Sequence, residues 1–247
     1  HQDGHSHILA NTVPNCKSYD AAYSFELTVI IQDGVKRMYA DKENCFYYLT
    51  TMNENYVQPA MPEGVEEGII KGIYPFSKGA DAKLKVQLMG SGTILNEVRE
   101  AATILRESFG IESDIWSLTS VNELTRDGQA VDRWNLLHPE SAPKKAYITE
   151  QLEGSAGPVI IATDYMKNYA EQLRKYIERP LYVLGTDGFG RSDSRAALRK
   201  FFEVDRHFVV LAALKVLADE GKIKTSVLSQ AIKTFAIDPD KPNPLYV

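Results

Sequence analysis

The sequence predicts an α/β protein: a three-layer α/β/α unit with a mostly parallel sheet from about residue 83 onward, preceded by the closing part of a second α/β unit. Three observations carry this reading. Short apolar runs alternate with helix-length amphipathic segments after residue 83, the pattern of strands joined by right-handed crossovers. The stretch 53–82 holds Pro59, Pro62, Pro75 and several glycines, a density of breakers that no long element survives. With 247 residues, 44% of them hydrophobic and 25% charged, the chain has the composition of a globular protein and the length of one large domain plus part of another.

Taken in order, ILANTVPNCKSYD (8–20) reads as a loop punctuated by Pro14 and Asn15. A helix follows in AAYSFELTVIIQDGVKRM, where Phe25, Leu27, Val29, Ile30 and Met38 form an apolar face, although Gly34 weakens its last turns. NCFYYLTTM (44–52) has the aromatic and threonine content of a buried strand. Residues 53–82 then read as a crossing between domains. KLKVQLMGSG (83–92) is a strand ending in a glycine turn, and 93–110 is an amphipathic helix that Thr93 caps and Gly110 stops. SDIWSLTS is the next strand, and SVNELTRDGQAVDRW is a helical pattern interrupted at Gly128. PVIIATD (158–164) is a third strand, YMKNYAEQLRKYIER a helix and PLYVLGTDG a fourth strand. The tail from Ser194 to Ile237 is helical, with breaks near Val204 and at Gly221.

Several function classes are excluded by bulk properties. No run approaches the ~18 consecutive apolar residues of a membrane span. The formal charge of -5 is dispersed, which argues against a nucleic-acid or anionic-lipid footprint. Cys16 and Cys45 are too few for a disulfide framework or an all-cysteine zinc site. With no secretory pattern, a reducing cytoplasmic location is expected. A chain that starts at His1 also reads as a processed or truncated piece.

HQDGHSH (1–7) is the densest chemical string, with His1, His5, His7, Gln2 and Asp3 in seven residues. Imidazoles and a carboxylate suit zinc, yet the 1-5-7 spacing around Gly4 fits neither a helix turn nor a hairpin knuckle. A solvated loop and an active-site loop remain open beside the metal reading. GTDGFGRSDSR (185–195) follows a strand and precedes a helix, where backbone N–H groups meet anions. Its glycines do not make G-x-G-x-x-G, so a tight turn with Ser192 or Asp193 capping the next helix is favoured, with Arg191 and Arg195 available for an anion. Asn53, Glu54 and Asn55 follow a strand end, where ligands gather in open α/β sheets, and turn capping explains them equally well. His138 and His207 read as structural, and Cys45, inside a strand-like run, as inert.

Four strings go further. HQDGHSHILANTVPNC, TTMNENYVQPAMPEG, TRDGQAVDRWNLLHPES and VLGTDGFGRSDSR resemble the C-terminal portion of the thiamine-diphosphate-dependent decarboxylating component of the pyruvate dehydrogenase complex, in its homodimeric bacterial form. The resemblance covers essentially the whole chain and extends, more weakly, to the transketolases. It implies that residues 1–61 end a pyrimidine-binding middle domain, that 62–82 link, and that 83–247 form a transketolase-like C-terminal domain. It further implies oxidative decarboxylation of pyruvate, acetyl transfer to the lipoyl group of an acetyltransferase component, a homodimer, and thiamine diphosphate with Mg2+ as cofactors. Among the site residues, it makes His1 the substrate-facing proton handler, His5 and His7 weaker candidates, and Gln2 and Asp3 parts of the same loop.

Departures from the family pattern matter as much. GTDG at 185–188 is not the family's Gly-Asp-Gly diphosphate motif, and its activating glutamate lies outside this chain. The resemblance therefore implies a piece without cofactor-binding or metal residues of its own, inactive alone. The competing reading is a dimerisation or assembly module, with Phe189, Phe201, Phe202 and Phe208 at an interface.

Overall fold

A computed structural model describes residues 3–247. The first unit consists of α1 (Ser6–Asn11), β1 (Cys16–Asp20), α2 (Ser24–Val35), a π-helical turn (Lys36–Ala40) and β2 (Phe46–Thr50). β1 and β2 pair in parallel, with Asp20 opposite Thr50. The stretch expected as a loop is thus a helical turn and a strand. CKSYD carries no apolar alternation of its own, so its strand character comes from pairing. β2 is partly exposed along its length, against the expectation of a buried strand.

α2 starts with a capping box. Glu26 reaches back to the backbone N–H groups of Ala22 (2.5 Å) and Tyr23 (3.1 Å), satisfying orphan donors of the first turn. Its buried stripe is Glu26, Ile30 and Gly34, one residue per turn. Leu27, Val29 and Met38, placed on the apolar face by sequence, are only partly covered, and Met38 lies in the π-helical turn.

The breaker-rich segment is ordered. α3 (Glu66–Lys71) and β3 (Ile73–Ser77) fall within it, both short as the glycines and prolines require. β3 joins the larger sheet at its edge, the one place where Pro75 costs no ladder hydrogen bond.

The second unit is a five-stranded sheet of order β3-β5-β4-β6-β7, with β4 (Lys85–Gly90), β5 (Glu112–Leu118), β6 (Val159–Ala162) and β7 (Leu181–Leu184). β3 runs antiparallel to β5, and the other pairs are parallel. α4 (Ile94–Phe109), α9 (Arg206–Asp219) and α10 (Thr225–Thr234) cover one face; α5 (Val121–Leu137), α6 (Tyr147–Leu152) and α7 (Lys167–Glu171) cover the other. Strand residues sort by parity: Val86, Leu88, Ile160 and Ala162 join the core under α4 and α9, while Met89, Val159 and Ile161 join the core under α5 and α7. This is the period-2 rule applied to a sheet buried on both sides.

Several helix boundaries differ from expectation. α4 ends at Gly110 in the left-handed region (φ 64°) as expected, but Thr93 makes no side-chain cap, and its hydroxyl instead accepts from Arg199 at 3.2 Å. The tail breaks where expected, at Glu203 (φ 64°) and Gly221 (φ 68°), giving α8 (Arg195–Phe201), α9 and α10. α6 was not anticipated, and α7 is short, giving way to a 3-10 turn at Arg174–Tyr176. α5 runs unbroken through Gly128 because the glycine is an approach point: a Cβ there would lie 2.4 Å from the Tyr176 ring, which is packed in the core.

Gly128→Val is therefore expected to lower stability by about 1–3 kcal/mol through overpacking, measured as a reduced urea midpoint with unchanged slope. A variant as stable as the parent would show that Tyr176 yields freely.

Candidate functional site

The histidine loop is pinned from both ends. Asp3 accepts from the N–H of His5 (3.1 Å), the N–H of Ser6 (3.0 Å) and the Ser6 hydroxyl, closing the start of α1. Burial pushes the Asp3 carboxyl up, but the bonds from Ser6 and His5 outweigh it and hold the group below its ordinary value. The carbonyl of buried Gly4 accepts from Met166 N–H at 3.0 Å, so the loop lies over the carboxyl end of β6. Asp3 thus caps the start of α1. His1 and Gln2, singled out from sequence, lie outside the described residues.

The other two histidines part company. His5 is exposed, while His7 has no accessible surface. The His7 ring sits edge-on to Tyr165 (4.5 Å) and Tyr48 (5.6 Å) and stacks on Tyr169 (5.2 Å). Its Nε2 is 2.9 Å from the Thr50 hydroxyl, and among the described residues its Nδ1 has no partner. Burial lowers its pKa to about 4, with Asp3 opposing weakly, so the ring is neutral and inaccessible. His7 orients the loop from inside.

Thr50 leads to the centre of the arrangement. Its hydroxyl donates to Asp20 Oδ1 (2.8 Å), Ser91 Oγ donates to Asp20 Oδ2 (2.9 Å), and Ser91 Oγ lies 3.0 Å from Thr163 Oγ1. Asp20, Thr50, Ser91 and Thr163 stand at or just beyond the carboxyl ends of β1, β2, β4 and β6, the place where α/β sheets collect ligands. Gly92 (φ 51°) completes the fit, since a Cβ there would lie 2.5 Å from Asp20 Oδ2. Burial, with the Asp164 and Glu26 carboxylates adding to it, raises the Asp20 pKa to about 7, against the hydrogen bonds from Thr50 and Ser91 that favour its ionised form. Sequence reasoning missed all four residues. Asp20 fell in a stretch read as a loop, and Thr50, Ser91 and Thr163 lay inside runs read as strands with nothing to single them out.

Two further links join the units. Asn122, in the first turn of α5, donates to the His7 carbonyl (2.7 Å) and to Ser18 Oγ (2.5 Å), and Ser120 Oγ donates to the Ser18 carbonyl (2.7 Å). Glu54 of the expected ligand loop is held by Arg199 (2.5 Å) and Arg195 (3.5 Å), and Asn53 accepts from Arg195. The loop is clamped to α8, and Arg195 spends its charge there. Asp164, nearby, has its carboxyl pKa raised by burial, with Arg199 opposing and Glu54 adding to the shift.

The remaining candidates are structural. In the 185–190 turn, a Cβ at Gly185 would lie 2.6 Å from the Tyr165 carbonyl, and one at Gly188 2.4 Å from the Pro244 carbonyl. Both glycines thus serve close backbone packing. Ser194, not Ser192 or Asp193, caps α8. His138 stacks on Trp134 at 4.4 Å, and His207 packs against Phe235 at 4.5 Å. Cys45 precedes β2 rather than lying inside it. Phe202 is buried and Phe201 and Phe208 pack against the core, leaving Phe189 exposed among the four phenylalanines.

These contacts decide what can be bound. Among the described residues no three His, Cys, Asp or Glu side chains are grouped to hold a metal ion, and the His7 imidazole is walled in by tyrosines. Nor do the described residues fit a magnesium-bound diphosphate. Gly185 and Gly188 are packed against backbone, Glu54 is committed to arginines, and the Glu26 carboxylate is filled by Tyr74, Ser117 and two backbone donors. Among the described residues no helix is long and apolar enough to cross a membrane.

A five-stranded sheet flanked by helices, with a second parallel pair sealed against its carboxyl ends, matches known proteins. Residues 72–205 match the transketolase-like C-terminal domain family, and the chain belongs to it. Residues 1–59 match the pyruvate dehydrogenase E1 component middle domain. The chain is 60% identical over 247 residues to the pyruvate dehydrogenase E1 component of Pseudomonas aeruginosa and 56% identical over 246 residues to that of Escherichia coli, covering 99% of this chain in each case. It spans 28% of the length of these curated relatives. Among solved structures it resembles a transketolase mutant from Pichia stipitis in complex with fructose-6-phosphate (TM-score 0.61, 17% identity, 88% of this chain and 27% of that one) and a transketolase from Leishmania mexicana (TM-score 0.57, 16% identity, 89% and 28%). At such identities the likeness is one of fold.

The two buried groups respond to pH with opposite signs. Folded Asp20 titrates at about 7 against an ordinary 3.8, so between these values the folded state binds more protons, and this group's contribution to stability falls as pH rises. Folded His7 titrates at about 4 against 6.5, so its contribution falls as pH drops through that window. Asp20→Asn is expected to gain stability relative to the parent as pH rises from about 4 to about 7, read from urea denaturation at a series of pH values. Parallel curves for the two proteins would refute a perturbed carboxyl.

Proposed function

We propose that this chain forms the C-terminal portion of a pyruvate dehydrogenase, which decarboxylates pyruvate on thiamine diphosphate and passes the acetyl unit to a lipoyl group of an acetyltransferase component on the way to acetyl-CoA. The high identity to pyruvate dehydrogenases along nearly the whole chain is the observation that carries this reading. In it, the enzyme works as a homodimer within a multienzyme complex in the cytoplasm, and the units divide near residues 61 and 83. The cofactor's diphosphate and Mg2+ fall to residues outside this chain. Once bound, that cofactor supplies the electron sink of the decarboxylation.

What this chain contributes is position. His1 stands two residues before Asp3, whose carboxylate is locked to the first turn of α1. Gly4 is tied to Met166, and His7 is sealed among tyrosines behind it. A histidine with an ordinary pKa near ~6.5 can donate or accept a proton close to neutrality, which is what general acid–base work at a substrate requires. The role assigned to His1 is proton handling at the substrate, with exposed His5 secondary.

In the full-length enzyme, His1→Ala is expected to lower pyruvate-to-acetyl-CoA flux at least tenfold, about 1.4 kcal/mol of barrier. A smaller loss would remove His1 from the catalytic step. The chain by itself is expected to show no saturable heat on titration with thiamine diphosphate in a calorimeter, and tight binding would contradict the division of labour described.

A further inference from the structure

We propose that Asp164 is a positioning residue for the reaction: its carboxylate accepts a hydrogen bond from the His1 imidazole and fixes which ring nitrogen faces the substrate. The inference deepens the proton-handling role proposed above for His1 and rests on it. Asp164 lies two residues past β6, where open α/β sheets collect ligands. It is the apex of a pinned turn, in which the Tyr165 N–H donates to Thr163 Oγ1 (3.2 Å) and the Tyr165 carbonyl accepts from the Thr186 N–H (2.8 Å). The Met166 N–H that holds the Gly4 carbonyl at 3.0 Å follows, so the histidine loop is fastened two residues from Asp164. His1 is two residues from Asp3, and two residues of chain reach at most about 7 Å. Asp3 in turn is near enough to Asp164 for its charge to act on it.

The carboxyl is also available. Asp20 is filled by Thr50 and Ser91, Glu54 by Arg199 and Arg195, and Asp3 by His5 and Ser6. Asp187 is taken by Lys167, through its backbone N–H at 3.0 Å and its ammonium at 3.5 Å. Alone of these five acids at the strand ends, Asp164 has no hydrogen bond or ion pair among the described residues. It is only partly buried, so a neighbouring group can reach it. Burial pushes its carboxyl up and Arg199 and Arg195 pull it down, both from beyond ion-pair distance and both committed to Glu54, while Glu54 and Asp3 add to the upward push. Asp20 is a further acid close enough to interact. A carboxylate in such a place calls for a donor.

An imidazole N–H is such a donor, and the hydrogen bond made by one ring nitrogen decides the state of the other. With one N–H given to Asp164, that proton stays on the ring throughout, and the second nitrogen exchanges its proton with the reacting group. The carboxylate also favours the imidazolium, so the ring keeps its second proton to higher pH than it would alone.

The test is steady-state kinetics of the full-length enzyme across pH, on the parent, Asp164→Asn, His1→Ala and the double variant. Asp164→Asn is expected to lower kcat about tenfold with the KM for pyruvate changed less than about twofold. It is also expected to move the limb of the kcat profile that reports His1 about one pH unit toward acid, because the ring loses its anionic partner. In the His1→Ala background the same substitution is expected to cost nothing further. The KM and the position of the limb do not depend on how much of a variant folds, so a poor yield leaves the test intact. A limb that stays in place, or a loss repeated in full in the His1→Ala background, overturns the role given to Asp164 and leaves the reading of His1 standing. A His1→Ala enzyme that keeps more than about a tenth of the parental flux removes that reading, and this inference with it.

Discussion

One buried carboxyl group organises the meeting of the two units. Asp20 ends β1 with its backbone N–H given to Thr119 of the larger unit (2.8 Å) and its backbone carbonyl accepting from Gly92 (3.2 Å). One carboxyl oxygen faces Thr50 of its own sheet, and the other faces Ser91 of the larger sheet. Among the described residues no cation pairs with Asp20. A charged aspartate so placed would carry a large desolvation cost, and the structure meets it with hydroxyl donors that serve the neutral and the ionised forms alike. Ser91 and Thr50 rotate their protons, whereas a lysine or arginine would have forced ionisation.

Around Asp20 the interface is polar where a domain core would be apolar. Ser18, Ser120, Asn122 and Thr119 are all essentially buried and hydrogen-bonded across it. Such bonds contribute only about 1 kcal/mol each to stability. Their value is geometric, because each is directional and favours one register of β1 against α5. Apolar contact tolerates sliding; a line of short, directional bonds does not. The histidine loop, which rides on β1 and α5 through the bond from Asn122 to the His7 carbonyl, inherits that register.

The architecture of the larger unit was legible because its strands are continuous apolar runs and its helices carry separate faces, as parallel sheets covered on both sides require. The smaller unit was not. CKSYD is a strand only because β2 lies beside it, and the breaker-rich segment hides β3 because an edge strand of five residues tolerates Pro75. The site divided the same way. HQDGHSH drew attention through composition, yet composition could not separate His5, which faces water, from His7, which faces three tyrosines. Asp20 and Ser91 carry no local pattern at all. They become a pair through a fold that brings residues far apart in the chain together, and periodicity reads only neighbours.

The coupling of Asp20 to His7 through Thr50 follows from a single cause. Burial penalises the charged form of each group, raising the acid and lowering the base, so both stay neutral between about pH 4 and about pH 7. In that window the proton that an exposed pair would pass from carboxyl to imidazole remains on Asp20, and Thr50 bridges two uncharged partners. Above about 7 Asp20 ionises, and the bonds from Thr50 and Ser91 become charge-assisted and stronger. By then the stability lost through this carboxyl is already gone, since above about 7 it is ionised in the folded and unfolded states alike. The loss through Asp20 thus falls between the ordinary carboxyl value and about 7, a span that overlaps the one in which buried His7 contributes with the opposite sign.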